Sequence, residues 1–361
     1  MEKEIIQAPK TAAYLADFMT ELPVNCLFDK GRTGCGGTTI AIKNKLDTII
    51  AMPYVNVIKN KEEQHDNLLG IYQGVTEDEI IDYLHTQQIK KIAVTYDKLE
   101  YLIELLEEQG FNPYKDFHLL VDEWHILFNS YAFRNEAVKK VLSHSRKFEQ
   151  VIYMTATPIE EEFILEELND LPVKEIAWSN TAIVDIKPII TDRPINKVCE
   201  LIYMAIDGKM FGNLHFFVNS VEFISDAIQK AGLLPEQVRI ICSDNKILGR
   251  GRKTNQKKLG DNYKIASSLD EVKPINFYTA TCFEGVDLYD ENGRTYIVSD
   301  KNKSHTLLDI STLVVQICGR IRNSKYKTEV HHIYSETRYK NYISLEEFKA
   351  HSEKQIQETK E

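Results

Sequence analysis

Asp29-Lys30-Gly31-Arg32-Thr33-Gly34-Cys35-Gly36-Gly37-Thr38-Thr39-Ile40 stands between an apolar run, Val24–Phe28, and a helical pattern, Thr38–Lys45. A strand that passes into a helix through a glycine-rich turn can aim successive backbone N–H groups at a phosphate. The helix N-terminus then adds its partial positive charge. The phosphate-loop pattern asks for Gly-x-x-x-x-Gly-Lys-Ser/Thr. Gly31 and Gly36 fit it, with Thr33, Gly34 and Cys35 between them. Thr38, followed by Thr39, supplies the hydroxyl that can hold magnesium, but Gly37 occupies the lysine's place.

That lysine ordinarily reaches the β and γ phosphates and offsets charge during transfer. Two readings of its absence compete. Either Lys30 or Arg32, at the front of the loop, swings in from the other side, or the site binds nucleotide weakly and hydrolyses little. The first arrangement resembles that of some phage packaging ATPases. Taken alone, the loop is also compatible with a glycine-rich turn that holds no phosphate.

Outward from the loop, short apolar runs alternate with helical stretches, the pattern of a parallel sheet covered by helices. Val24–Phe28, Thr48–Met52, Ile92–Thr95, His118–Val121 and Gln150–Met154 are continuous apolar runs, as expected of strands buried on both faces. Asp97–Gln109 is a helix with Leu99, Leu102, Ile103 and Leu106 on one face. A second series follows at Leu214–Asn219, Val238–Cys242, Ile275–Thr279, Thr295–Ser299 and Val330–Tyr334. Trp178–Pro194 reads as a linker with one strand, which divides the chain near Ile186. The tail from Leu345 is charged and helix-prone.

Composition sets limits. At 361 residues the chain can hold two domains, and 43% hydrophobic with 27% charged residues is ordinary for a globular protein. No apolar run reaches membrane-spanning length, and Met1-Glu2-Lys3-Glu4 is not a signal peptide. Six scattered cysteines without metal-ligand spacing point to a reduced, intracellular protein. A net charge of −10 argues against a tight, sequence-independent nucleic-acid coat, while leaving room for a local basic groove.

Leu119-Leu120-Val121-Asp122-Glu123-Trp124-His125 ends an apolar run in two carboxylates. They fall at the carboxyl edge of the sheet, where open α/β folds bind ligands. Asp122 would hold magnesium, and Glu123 would orient and deprotonate an attacking water.

The landmarks that follow resemble those of superfamily 2 helicases, of the DExH, DEAD-like type, in their usual order. Asp122-Glu123-Trp124-His125 matches the Asp-Glu-x-His box, and Tyr153-Met154-Thr155-Ala156-Thr157-Pro158 resembles motif III. Phe216-Phe217-Val218-Asn219-Ser220 resembles motif IV. Thr279-Ala280-Thr281-Cys282-Phe283-Glu284-Gly285-Val286-Asp287-Leu288 resembles motif V, and Gln316-Ile317-Cys318-Gly319-Arg320-Ile321-Arg322 resembles motif VI. Weaker echoes are Met52-Pro53-Tyr54 and Thr95-Tyr96.

The resemblance implies an α/β fold of two tandem RecA-like domains, 1–185 and 186–361, with ATP and Mg2+ between them and single- or double-stranded DNA or RNA across both. It implies an ATP-dependent helicase or translocase in which His125, Thr155 and Thr157 couple hydrolysis to movement. Gly285 and Asp287 would meet the nucleotide and the nucleic-acid strand. Gln316 would line the catalytic cleft, and Arg320 and Arg322 would reach the γ-phosphate. The family's second arginine lies three residues after the first, where this chain has Asn323, so Arg320 carries more weight than Arg322. No glutamine motif for adenine precedes the loop. The alternative is a degenerate, non-hydrolysing clamp or scaffold of the same fold. The chain has little room for accessory domains, so specificity would come from a protein partner, and the acidic, compact build would suit a phage or mobile-element protein.

A basic stretch, Lys246–Lys264, includes Arg252, Lys253, Lys257 and Lys258 and reads as a flexible loop able to track phosphates. A solvated surface loop explains it equally well. His331 and His332 read as structural, with no partner at metal spacing.

Overall fold

The computed structural model describes residues 2–161, 164–179, 183–243, 254–336, and 344, 346, 347, 349 and 350, without the side chains of 128–135. The charged tail from Leu345 and the basic residues Arg252 and Lys253 therefore lie largely or wholly outside the described residues.

The strands form two sheets. The first holds β1 (Lys3–Gln7), β2 (Cys26–Asp29), β3 (Thr48–Met52), β4 (Leu68–Ile71), β5 (Lys91–Thr95), β6 (His118–Asp122), β7 (Val151–Thr155) and β8 (Val173–Ala177). Its spatial order is β1-β8-β2-β7-β6-β3-β5-β4. The second holds β9 (Asp185–Ile190), β10 (Asn213–Phe217), β11 (Val238–Ile241), β12 (Ile275–Tyr278), β13 (Gly293–Ser299) and β14 (Glu329–Tyr334), ordered β11-β12-β10-β13-β14-β9. Every described pairing is parallel.

Parallel strands need crossovers, and helices supply them. In the first half these are α1 (Gly37–Lys43), α2 (Val55–Gln64), α3 (Glu77–Thr86), α4 (Leu99–Glu108), α5 (Pro113–Asp116) and α6 (His125–Ser145). The second half has α7 (Pro194–Ile206), α8 (Val221–Ala231), α9 (Asn255–Leu259) and α10 (Val315–Cys318). This is the architecture expected from the sequence, two RecA-like α/β lobes.

Strands in the middle of each sheet coincide with the apolar runs. β3, β5 and β7 are buried along their whole length. Three strands escaped the sequence reading, and all are short and lie toward the sheet margins. β1 carries Lys3 and Glu4 and is largely exposed, and β8 carries Lys174 and Glu175 and is mostly half-buried. β4 contains Gly70, whose N–H donates to Glu62 Oε1 at 2.6 Å. The one strand expected in the linker is β9. Pro188 is tolerated there because β9 lies at the edge of its sheet.

One apolar cluster runs across both lobes, joining Phe28, Ile58 and Met154 to Phe283, Val286 and Ile317. His332 Nε2 and Ser299 Oγ are 3.0 Å apart, and the His331 ring stacks on Tyr296, so both histidines are built into the second sheet. Among the described residues, no helix is long and apolar enough to cross a membrane.

Candidate functional site

Register brings three motif-bearing strand ends to one edge of the first sheet. Asp29 lies opposite Thr155, and Asp122 lies opposite Met154. With β7 between β2 and β6, the glycine loop, Thr155–Thr157 and the carboxylate pair emerge side by side at the strands' carboxyl ends, where such sheets bind ligands.

The loop leaves β2 with the Lys30 N–H on the Thr155 carbonyl at 2.8 Å. A short 3-10 turn, Leu15–Asp17, braces it, the Leu15 N–H donating to the Cys35 carbonyl at 2.9 Å. The Cys35 thiol is buried, which pushes it up, and lies 3.7 Å from the Lys30 carbonyl oxygen. Position 37 is crowded. A β-carbon on Gly37 would stand 2.4 Å from Met154 Sδ, and Met154 is fully buried. No side chain enters there unless Met154 moves.

A cation at the front of the loop reaches the carboxylates. Lys30 is buried, with its Nζ 2.8 Å from Glu123 Oε1 and 3.7 Å from Asp122 Oδ1. Burial works against its charge, but the two carboxylates outweigh that and raise the ammonium above its ordinary 10.5. Arg32 points elsewhere. Its guanidinium lies 3.7 Å over the Trp178 ring and donates to the Ala13 carbonyl. Trp178 in turn donates from Nε1 to the Lys30 carbonyl at 2.8 Å. Of the two candidate cations, only Lys30 is brought to the carboxylates.

Glu123 adopts φ 55°, a left-handed conformation that costs a non-glycine residue on the order of 1–3 kcal/mol. The surrounding bonds hold it there. Tyr96 Oη donates to the Asp122 carbonyl at 2.6 Å, and Trp124 N–H to the Met154 carbonyl at 3.3 Å. Burial would raise the Glu123 carboxyl, but Lys30 and His125 hold it down at about 2. Asp122 is pushed the other way by burial. Its Oδ2 accepts from Thr38 Oγ1 at 2.8 Å, while its buried Oδ1 has no hydrogen-bond partner. Thr39 follows Thr38 in the first turn of α1 and is half-buried.

The second lobe completes this network. Gln316 Nε2 donates to Glu123 Oε2 at 3.2 Å and to Thr157 Oγ1 at 3.3 Å. His125 is wholly buried, its Nδ1 2.7 Å from Thr155 Oγ1 and its Nε2 2.8 Å from Glu284 Oε1. Burial opposes a charge on this ring, but the Glu284 bond and charge prevail and raise it above its ordinary 6.5. His125, Thr155 and Thr157, expected to couple hydrolysis to movement, form one hydrogen-bonded set with residues of both lobes.

The two arginines divide differently from the sequence expectation. Arg320 is buried and donates to the Gln316 carbonyl at 2.9 Å, Gln316 Oε1 at 3.1 Å and the Val286 carbonyl at 3.2 Å, all in its own lobe. Burial lowers it to about 10. Arg322 lies against the loop. A β-carbon on Gly34, which sits at φ +68°, would be 2.1 Å from Arg322 Nη1. A β-carbon on Gly319 would similarly meet Thr33 Oγ1 at 2.0 Å. Arg322, not Arg320, abuts the glycine loop, although it is one residue short of the expected spacing.

Gly285 and Asp287, expected at the nucleotide and the nucleic-acid strand, face α2 of the first lobe. A β-carbon on Gly285 would be 2.7 Å from Val57 Cγ2, and Asp287 Oδ2 is 2.8 Å from Lys61 Nζ. Within the basic stretch, Asn255–Leu259 forms the short helix α9. Thr254 caps α9, which carries Lys257 and Lys258, and Lys258 Nζ lies 2.6 Å from Glu222 Oε1. Lys61, Glu284 and Trp178 received no role in the sequence reading. Spacing carried no signal for them, because their partners lie up to 230 residues away in the chain.

No protein-family model matches the chain, and no curated protein does. Solved structures do. Mss116p, a DEAD-box helicase, bound to ssRNA and AMP-PNP matches at TM-score 0.60 and 12% identity, over 93% of this chain and 78% of that one. Dbp5 of S. cerevisiae bound to RNA and ADP BeF3 gives 0.56 and 13%, over 91% and 82%. The helicase Lhr of Mycobacterium smegmatis bound to ssDNA and AMP-PNP gives 0.55 and 12%, over 86% of this chain and 44% of Lhr. At such identities the likeness is one of fold. The chain shares the tandem RecA-like fold of these helicase structures.

Proposed function

We propose that the chain is an ATP-dependent nucleic-acid motor, a helicase or translocase, hydrolysing ATP between lobes 1–185 and 186–361. The observation that carries this reading is the Lys30–Glu123 pair at 2.8 Å, with Gln316 of the other lobe on the same carboxylate at 3.2 Å. Hydrolysis of a nucleoside triphosphate needs a cation for the γ-phosphate, an ionised base for water and an element that closes the site. Lys30, Glu123 and Gln316 answer those needs. The bound nucleotides and strands in the structures of like fold support the same reading.

Magnesium fits the residues present, because Asp122 Oδ1 is buried without a hydrogen-bond partner and Thr38 Oγ1 lies 2.8 Å from Oδ2. Thr38 and Asp122 would hold the ion, which neutralises phosphate charge when bound. The chain's own residues do the rest. Lys30 takes the place of the lysine that Gly37 lacks. An incoming γ-phosphate competes with Glu123 for the Lys30 ammonium and frees the carboxylate to accept a proton from water. Arg322, beside Gly34, faces the loop from the second lobe, and the backbone N–H groups from Gly34 to Thr38 cradle the phosphates.

The test is steady-state ATP hydrolysis by the purified protein, with and without single-stranded DNA or RNA. Polymer-stimulated turnover that Glu123→Gln abolishes, with nucleotide binding retained, is the expected result. Binding of nucleotide or strand with no turnover under any condition would overturn it in favour of a non-hydrolysing clamp.

A further inference from the structure

Helix α2 of the first lobe follows the 284–287 segment of the second. Tyr54, the residue before its first turn, has its Oη 3.5 Å from Glu284 Oε2. One turn on, Val57 packs where a side chain on Gly285 would stand. A further turn brings Asn60 and Lys61 to Asp287. Asn60 Nδ2 lies 3.4 Å from the Asp287 carbonyl oxygen, the Asp287 N–H donates back to Asn60 Oδ1 at 3.3 Å, and Lys61 Nζ is 2.8 Å from Oδ2. Residues three and four apart share one helix face, so a single face of α2 meets Glu284, Gly285 and Asp287.

Asp287 divides its two oxygens between the lobes. Oδ2 takes Lys61, while Oδ1 takes both Arg322 Nε, at 2.6 Å, and Arg322 Nη2, at 2.5 Å. Arginine and carboxylate prefer a fork-to-fork pair using both oxygens. Lys61 prevents it. With Oδ2 engaged, the guanidinium hangs from one oxygen, and its Nη1 remains at the Gly319 carbonyl, 2.5 Å away, and against Gly34.

We propose that Lys61 is a positioning residue that, by holding one oxygen of Asp287, keeps Arg322 aimed at the glycine loop only while the lobes are docked. The inference rests on the motor reading, in which Arg322 serves the γ-phosphate. When the lobes separate, Lys61 leaves Asp287, Oδ2 becomes available, and Arg322 collapses into the fork pair away from the loop. Closure and delivery of the arginine are thereby one event.

The test uses the full chain and two variants. Lys61→Met keeps most of the aliphatic stem and removes the charge, and Lys61→Arg restores a cation. In polymer-stimulated hydrolysis, Lys61→Met should lower kcat by about 10- to 100-fold, with KM for ATP within about threefold, because the loss falls on transition-state stabilisation. Lys61→Arg should recover kcat to within about threefold of the parent. A general folding defect would lower the active fraction of both variants and leave no such rescue. A fluorophore pair, one on each lobe, reads closure on adding a non-hydrolysable ATP analogue and single-stranded polymer. Lys61→Met should need about tenfold more analogue to close, whether or not the parent turns ATP over. Unchanged kcat in Lys61→Met, a change in KM alone, or no rescue by Lys61→Arg would overturn the proposal. A parent that closes in a Lys61-dependent way without hydrolysing would instead overturn the motor reading and leave the docking role standing.

Discussion

Met154 Sδ fills the space beside Gly37, 2.4 Å from where a β-carbon on that residue would stand. Putting a lysine back in the glycine loop therefore requires Met154 to shift. Gly37→Lys should destabilise the fold by roughly 1–3 kcal/mol through overpacking, seen as a lower midpoint in urea. It should also fail to restore turnover to Lys30→Ala, which alone should reduce kcat by ~10²–10³-fold. Arg32→Ala should stay within about threefold of the parent, since it loses a cation–π contact worth about 0.5–1 kcal/mol. Recovery of hydrolysis in the Lys30→Ala, Gly37→Lys double variant would refute the packing argument at position 37, whereas unchanged turnover in Lys30→Ala would refute the assignment of Lys30.

Acid should weaken the protein through Glu123. Lys30 and His125 overcome the effect of burial and hold its carboxyl at about 2, against an ordinary 4.5. A depressed acid contributes stability that is present in full above its unfolded value and is lost as pH falls toward the folded one. The expected loss thus lies between about pH 4.5 and pH 2. Glu123→Gln has no group to titrate there, so its deficit against the parent in urea unfolding should narrow between pH 7 and pH 3. An equal deficit at both values would mean that the Lys30–Glu123 pair contributes nothing pH-dependent.

What the sequence made legible follows burial. β3, β5 and β7 are buried throughout, so their residues are apolar in unbroken runs. β1 and β8 carry charged residues that break the apolar pattern and so escaped the reading, although they close one side of the first sheet. The site divides along the same line. Lys30, Thr38, Asp122 and Glu123 flank strand ends, where motif spacing mirrors geometry. The Lys61–Asp287 and His125–Glu284 pairs cross between lobes and depend on docking, which no spacing encodes. Arg322 shows the cost of reading by register alone. One residue out of place in sequence, it is nonetheless the arginine at Gly34.

Across the lobes, His125 and Glu284 share a hydrogen bond of 2.8 Å in a fully buried setting. The carboxylate and its charge raise the imidazole above its ordinary 6.5 despite burial. A double-mutant cycle of His125→Ala and Glu284→Ala should give a coupling of about 1–3 kcal/mol in urea unfolding. Glu284→Ala alone should also loosen lobe docking, visible as a lower nucleotide-dependent change in a lobe-to-lobe distance. Additive single effects would show that the two residues do not act together.

The two tryptophans of the chain both lie at the site, which gives a binding signal independent of turnover. Trp124 follows Glu123 and is buried, whereas Trp178 is half-buried, donates to the Lys30 carbonyl at 2.8 Å and lies 3.7 Å under the Arg32 guanidinium. If phosphate enters the loop and draws Lys30 off Glu123, the carbonyl that holds Trp178 moves with the backbone of residues 30–32. ATP or a non-hydrolysable analogue should then change the emission of the parent and of Trp124→Phe, and should do so far less in Trp178→Phe. Inorganic phosphate alone should give a smaller change, because one helix-end anion site binds it without the rest of the nucleotide. If the emission of Trp124→Phe ignores nucleotide at concentrations that saturate binding by calorimetry, phosphate does not reach the front of the loop. The cation assigned to Lys30 would then have to come from elsewhere.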